Sequence, residues 1–215
     1  VHLVAAPSDL DAVRVEAGGV VETTDLGGVA GFTAEAVARG AYLRPTTATA
    51  SGPAIQAFAL AELRDTRLAT LHGLMEAVHG RIAYVTDSTD AHTTAAAAFE
   101  AQRGVCQDHA HIFISAARAL GIPARYATGY LLLDDHPDSP AHHAPAHHAW
   151  AEAFVENIGW IGFDAANNLC PIDTYVRLGA GLDPCAALAA DVVLGAGESA
   201  SFSFSLVASS RALTA

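Results

Sequence analysis

Chemistry in this 215-residue chain could begin at any of three thiols, Cys106, Cys170 and Cys185. A thiol is a strong nucleophile only as a thiolate, and the amide hydrogens at a helix start, together with a nearby imidazolium, stabilise that charge. Cys106 has the setting for the first of these. Arg103-Gly104-Val105 interrupts the chain just before it, and Phe113, Ala116, Ala117 and Leu120 then recur at helical spacing until Gly121 and Pro123 stop the run. A free cysteine is most often a small buried hydrophobe, but Gln107, Asp108, His109 and His111 give this one a more polar neighbourhood than such a thiol usually has. Cys170 and Cys185, beside Pro171 and Pro184, read as two ordinary buried thiols.

An imidazole from a rigid strand, oriented by a carboxylate, would complete a nucleophilic site. Four histidines, His142, His143, His147 and His148, crowd one stretch, and position alone does not choose among them. Nor does it separate Asp164 from Asp134, Asp135 and Asp138, all of which suit turns or strand ends. Metal binding is the competing chemistry, since Cys106-x-x-His109-x-His111 and the 142–148 cluster supply ligand types. His109 and His111 point to different sides of a helix, however, so the His-rich loop is expected to be solvated and no metal or cofactor is expected.

The elements that must position these groups are legible as periodicities. Residues 1–50 carry short apolar runs broken by Pro7, Gly18-Gly19 and Gly27-Gly28, and read as a β-rich region, with an incomplete start. From Pro53 the spacing lengthens into two amphipathic helices, Ile55–Leu63 and Leu68–Val78, and Ala95–Phe99 makes a third that Thr93 or Thr94 can cap. Residues 124–133 read as a strand and 134–146 as a polar loop. His148, Trp150, Glu152 and Phe154 then alternate with small residues, and 160–163 resumes the pattern as a hairpin. Phe202, Phe204 and Leu206 alternate with serines in a last strand, placed within a C-terminal segment 181–215 that returns to the β unit.

Composition bounds the partners. A hydrophobic fraction of 52% with 16% charged residues is that of a compact globular fold. The formal net charge of −12 has the wrong sign for nucleic acid or an anionic membrane surface. No apolar run approaches the roughly 20 residues of a bilayer span, no secretion signal is visible, and the odd cysteine count lacks C-x-x-C spacing, so a cytoplasmic location is expected.

Four blocks taken together carry a resemblance. They are Gly104-Val105-Cys106-Gln107-Asp108-His109-Ala110-His111; Gly121-Ile122-Pro123-Ala124-Arg125-Tyr126 with Gly129-Tyr130; His148-Ala149-Trp150-Ala151-Glu152; and Gly159-Trp160-Ile161-Gly162-Phe163-Asp164. In order and spacing they resemble the bacterial transglutaminase-like superfamily over roughly residues 12–180. The resemblance implies a catalytic core over residues 51–180 of α+β class, a papain-like helix bearing the nucleophile packed on an antiparallel sheet. It implies Cys106 as nucleophile, His148 as general base and acid, being the histidine directly before Ala149-Trp150, and Asp164 as the orienting carboxylate. Residues 15–24 and 42–47 resemble the later part of the family's N-terminal β region. Acyl transfer at a peptide or protein amide follows, by hydrolysis or, alternatively, by transfer to an amine. The Cys106 backbone N–H is the first oxyanion donor to consider, and Gln102 and Gln107 are candidates for the second. The chain departs from the family where Ala165-Ala166 follow Asp164 in place of Pro-Thr.

Overall fold

The computed structural model of the protein describes residues 21–33, 37–132 and 146–187. The chain runs through strand β1 (Val29–Gly31), a 3-10 helix (Arg39–Leu43), helices α1 (Pro53–Ala61) and α2 (Arg67–Arg81), and the two-residue strand β2 (Ala83–Tyr84). Helix α3 (Ala95–Ala101), strand β3 (Arg103–Gly104) and helix α4 (Cys106–Ala119) follow. Strands β4 (Ala124–Leu131), β5 (Ala146–Val155), β6 (Gly159–Phe163) and β7 (Tyr175–Gly181) and the single turn α5 (Pro184–Ala187) complete it. The five strands β1-β6-β5-β4-β7 form one antiparallel sheet in that order, and β2 pairs with β3 in parallel. This is the α+β, papain-like arrangement of a helix, α4, packed on an antiparallel sheet. Among the described residues no helix is long and apolar enough to cross a membrane.

Local chemistry sets the helix limits. Pro53, with its φ already helical and no N–H to leave orphaned, opens α1. The Thr66 hydroxyl accepts the Ala69 N–H (3.1 Å) at the start of α2, and Thr94 accepts the Ala97 N–H (3.2 Å) at the start of α3. Thr93 bonds instead within its own turn, accepting the Asp90 N–H at 3.0 Å. Helix α3 ends at Gln102 in the left-handed region (φ 53°), which redirects the chain into β3 and then α4.

The alternation along β5 divides the molecule. Ala149, Ala151, Ala153 and Val155 join Phe113, Ala116 and Ala117 of α4 and Leu71, Leu74 and Val78 of α2 in the main core. Their small side chains let α4 lie close to the sheet. Trp150 packs on the other face with Ala127 and Tyr175, and Phe154 with Trp160 and Tyr42. Between them Glu152, fully buried, holds Arg125 and Arg177, each at 2.6 Å. Gly129 sits at a register shift between β4 and β7, where a Cβ would meet the Val176 carbonyl oxygen at 1.9 Å.

One buried cation fastens the periphery to this core. Arg118, near the end of α4, donates to the carbonyls of Tyr42 (2.9 Å), Ala124 (2.8 Å) and Leu182 (2.8 Å) and to the Thr49 hydroxyl (2.6 Å). Burial lowers its proton affinity to about 10, partly offset by Asp183, so it stays charged at neutral pH.

Several expectations change. Residues 42–47 are not a strand: the 3-10 helix extends through Leu43 and a turn follows, because the Tyr42 carbonyl is taken by Arg118 and not by a neighbouring strand. The described strand of the N-terminal region, β1, joins the edge of the core sheet through β6. Strand β7 appears where no strand was expected. Cys185 is exposed on α5, contrary to its reading as a buried thiol, while Cys170 is half-buried. The 134–145 loop, residues 15–20 and the 201–208 strand lie outside the described residues.

Because four acceptors depend on one guanidinium, Arg118→Met should lower unfolding stability by about 2–4 kcal/mol. Arg118→Lys should recover less than half of that, since an ammonium has three donors and no fixed fork. Urea or thermal denaturation of the three proteins checks both statements.

Candidate active site

Cys106 is the first residue of α4, and the geometry around it is built by three elements. The β2–β3 pairing sets Tyr84 opposite Gly104, two residues before the thiol. Immediately after it, Asp108 turns back to accept the Val105 N–H at 2.8 Å, the reciprocal half of a capping box. The Cys106 N–H is one of the orphan donors of a helix start, and the Tyr84 hydroxyl faces it. Burial raises the Tyr84 pKa, as do the charges of Cys106 and Asp164, and the bond from the Cys106 N–H opposes the shift.

Strand β5 brings His148 to this point. Its Nε2 lies 2.7 Å from Asp164 Oδ2 at the end of β6, and the Cys106 side chain is near enough to act on the ring's proton affinity. Burial alone would lower the His148 pKa. The bond to Asp164, the neighbouring Cys106 side chain and the charges of both outweigh it and carry the value up to about 9. The sign follows from linkage. A folded-state value above the ordinary 6.5 means that the interaction stabilises the fold fully below about 6.5 and is lost as pH rises through about 9.

Asp164 has no solvent exposure and collects five donors. Oδ1 accepts the backbone N–H groups of Ala166 (3.0 Å) and Asn167 (3.2 Å). Oδ2 accepts His148, the Asn167 amide (2.7 Å) and the Tyr175 hydroxyl (2.7 Å). Burial pushes its pKa up, but His148, Tyr175 and Asn167 together hold it below the usual carboxylate range. The loop after Asp164, where the chain has Ala165-Ala166, closes without proline. Asp164 and Leu169 exchange backbone bonds at 2.9 and 3.2 Å, and His79 of α2 reaches the carbonyls of Ala165 and Ala166 at 3.2 Å.

The three residues singled out in the sequence thus converge, and the alternatives do not. His147 lies on the opposite face of β5, exposed, with Nε2 3.1 Å from the Thr128 hydroxyl. His109 has both ring nitrogens against backbone carbonyls, Val105 at 2.8 Å and Ile82 at 3.1 Å, and His111 is buried against the Tyr126 ring. Neither is presented as a metal ligand, and among the described residues no group of three or more His, Cys, Asp or Glu side chains is arranged to hold a metal ion. Gln107 donates its amide to the Asp90 carbonyl (3.3 Å), and Gln102 is exposed at the end of α3. Three participants escaped sequence reading. Asn167 and Tyr175 complete the Asp164 shell, and Tyr84 covers the Cys106 N–H. The signal for Tyr175 was its place in the β-prone run Tyr175-Val176-Arg177-Leu178; Asn167 and Tyr84 had none.

Comparison with known proteins bears on the family and the fold. The model of the transglutaminase-like superfamily matches residues 56–165, about half of the chain. An uncharacterized protein of Mycobacterium leprae is 34% identical over 107 residues, which cover 48% of this chain and 36% of that protein. One of Mycobacterium tuberculosis is 31% identical over 118 residues, covering 53% and 38%. The chain therefore spans little more than a third of the length of these curated relatives. Among solved structures, a Cytophaga hutchinsonii protein described as a "putative cysteine protease" superposes with a TM-score of 0.57 at 30% identity, covering 67% of this chain and 47% of that one. With the family's motif blocks folded into one constellation and its model matching across them, the chain belongs to the transglutaminase-like superfamily.

Proposed function

We propose that the protein is a cysteine-nucleophile acyl-transfer enzyme that hydrolyses a peptide or amide bond, with Cys106, His148 and Asp164 as its catalytic triad. The observation that carries this reading is the buried His148–Asp164 bond of 2.7 Å, set beside a thiol at the first position of a helix. The Cys106 thiolate attacks the amide carbonyl carbon, and the carbonyl electron pair moves to oxygen. His148 then gives its Nδ1 proton to the leaving nitrogen as the C–N bond breaks, leaving a thioester. Water attacks the thioester, its proton passes to His148, and the thiolate departs. Asp164 stays ionised and keeps Nε2–H directed at itself throughout. The Cys106 N–H and the Tyr84 hydroxyl serve as the oxyanion donors, Tyr84 rotating aside from the N–H as the carbonyl oxygen arrives. Hydrolysis is favoured over amine transfer by the description carried by the Cytophaga hutchinsonii structure.

The first test is alkylation by iodoacetamide at pH 6.5, read at Cys106 by peptide mass spectrometry. The rate should fall by about tenfold or more in His148→Ala, which removes the imidazolium that stabilises the thiolate, and by less than about twofold in His147→Ala. An inert Cys106 indifferent to both changes defeats the proposal. Incubation with glutamine-bearing peptides and a fluorescent primary amine should release ammonia or cleaved peptide without labelling; efficient labelling reassigns the enzyme to amine transfer.

Two kinetic consequences follow. Because the leaving group needs the His148 proton, kcat/KM should decline as pH rises through about 9. Tyr84→Phe should reduce kcat by about a hundredfold while the alkylation rate at Cys106 is kept, since alkylation makes no oxyanion.

A further inference from the structure

We propose that Asp108 is a positioning residue for Cys106, held in that role by Thr89. The inference rests on the reading of Cys106 as nucleophile. Asp108 is fully buried, two residues beyond the thiol. Its Oδ2 accepts both the Val105 N–H (2.8 Å) and the Thr89 hydroxyl (2.6 Å), while Oδ1 is buried without a hydrogen-bond partner. A carboxylate with one oxygen unsatisfied in the interior is a costly way to cap a helix, and an exposed serine or asparagine at the cap would hold the same turn with less desolvation. Helix stability alone therefore does not account for it.

What the carboxylate does fix is the backbone that leads into the nucleophile. Gly104 is pressed against it so closely that a Cβ there would stand 2.5 Å from the Asp108 Cβ and 2.6 Å from Oδ2. On the other side the Val105 carbonyl faces His109 Nδ1 at 2.8 Å, and His109 Nε2 faces the Ile82 carbonyl. Residues 104–106 are thus clamped between two buried side chains of the first turn, Asp108 fixing the Gly104–Val105 peptide and His109 the Val105–Cys106 peptide that carries the Cys106 N–H. Thr89 belongs to the segment between β2 and α3, which is tied to the same helix start a second time by the Gln107 amide on the Asp90 carbonyl. Losing the Thr89 bond leaves Asp108 with one donor and frees that clamp.

Two reactions of the full chain separate positioning from general stability. Acylation of Cys106 by p-nitrophenyl acetate needs an oriented oxyanion donor; alkylation by iodoacetamide needs only the thiolate. Misorientation of a reacting group costs rate steeply, so Thr89→Val should slow acylation about tenfold while alkylation stays within about twofold, and Thr89→Ser should restore acylation. Asp108→Asn, whose amide oxygen can accept both bonds, should acylate within about threefold of the parent, and Asp108→Ala should lose acylation. Should Asp108→Ala fail to fold, the threonine pair decides. Unchanged acylation in Thr89→Val, or a parallel loss of both reactions, overturns the proposal. A parent whose Cys106 shows no His148-dependent reaction with either reagent overturns the functional reading and this one with it.

Discussion

A carboxylate without access to water must find its hydrogen bonds within the protein, and Asp164 finds five from three separate segments. The sheet order places β6 and β7 three positions apart, with β5 and β4 between them. At about 4.8 Å between strands, a flat sheet would hold them some 14 Å apart, beyond the reach of a tyrosine. Tyr175 on β7 nevertheless bonds Asp164 at the end of β6, so the sheet has to curl until these two strands converge on this one group. That curl also turns His148 toward the helix start. The buried anion, the protonated imidazole and the curvature are therefore a single constraint.

A second demand is that α4 approach the sheet closely enough for Cys106 to meet His148. The alanine row of β5 lets α4 lie close to the sheet, while His148 shares the other face of the strand with Trp150 and Phe154. Burying charge at such an interface is expensive unless each ion is paired, and the pairing is local. Glu152 is shared by Arg125 and Arg177, Asp164 is matched by His148, and the charge of Arg118 is spread over carbonyls. The Glu152 cluster ties β4 and β7 to β5, and Arg118 ties the outer segments at Tyr42, Thr49 and Leu182 to α4.

Much of this was legible beforehand. The helices after Pro53, a threonine cap at Thr93 or Thr94, the start of α4 at the Gly104-Val105-Cys106 break and the alternation of β5 were written in local periodicity and capping chemistry. Strand β7 was not, because Arg177, Leu178, Gly179 and Ala180 follow no strict two-residue alternation and its pairing with β4 contains a register shift. Residues 42–47 looked extended by type, but the Tyr42 carbonyl is claimed by Arg118, 76 residues away in sequence. Cys185, beside Pro184, was taken as an ordinary buried thiol, yet it is exposed on a single helical turn.

By itself the sequence determined which residue types were available, their helical or alternating period, and through the four motif blocks the family. Side-chain period in a strand is two, so it also required His147 and His148 to face opposite sides of the sheet. Which side meets the thiol was decided only by tertiary structure, which sets His148, on the Trp150 face, between Asp164 and Cys106. Tertiary structure alone decided that Asn167 and Tyr175 would share that carboxylate, that Tyr84 would lie over the Cys106 N–H, and that His148 would bind its proton up to about pH 9. The physical reason is the same for each. Burial, opposite charge and hydrogen-bond partners come from segments distant in sequence, and no local pattern encodes them.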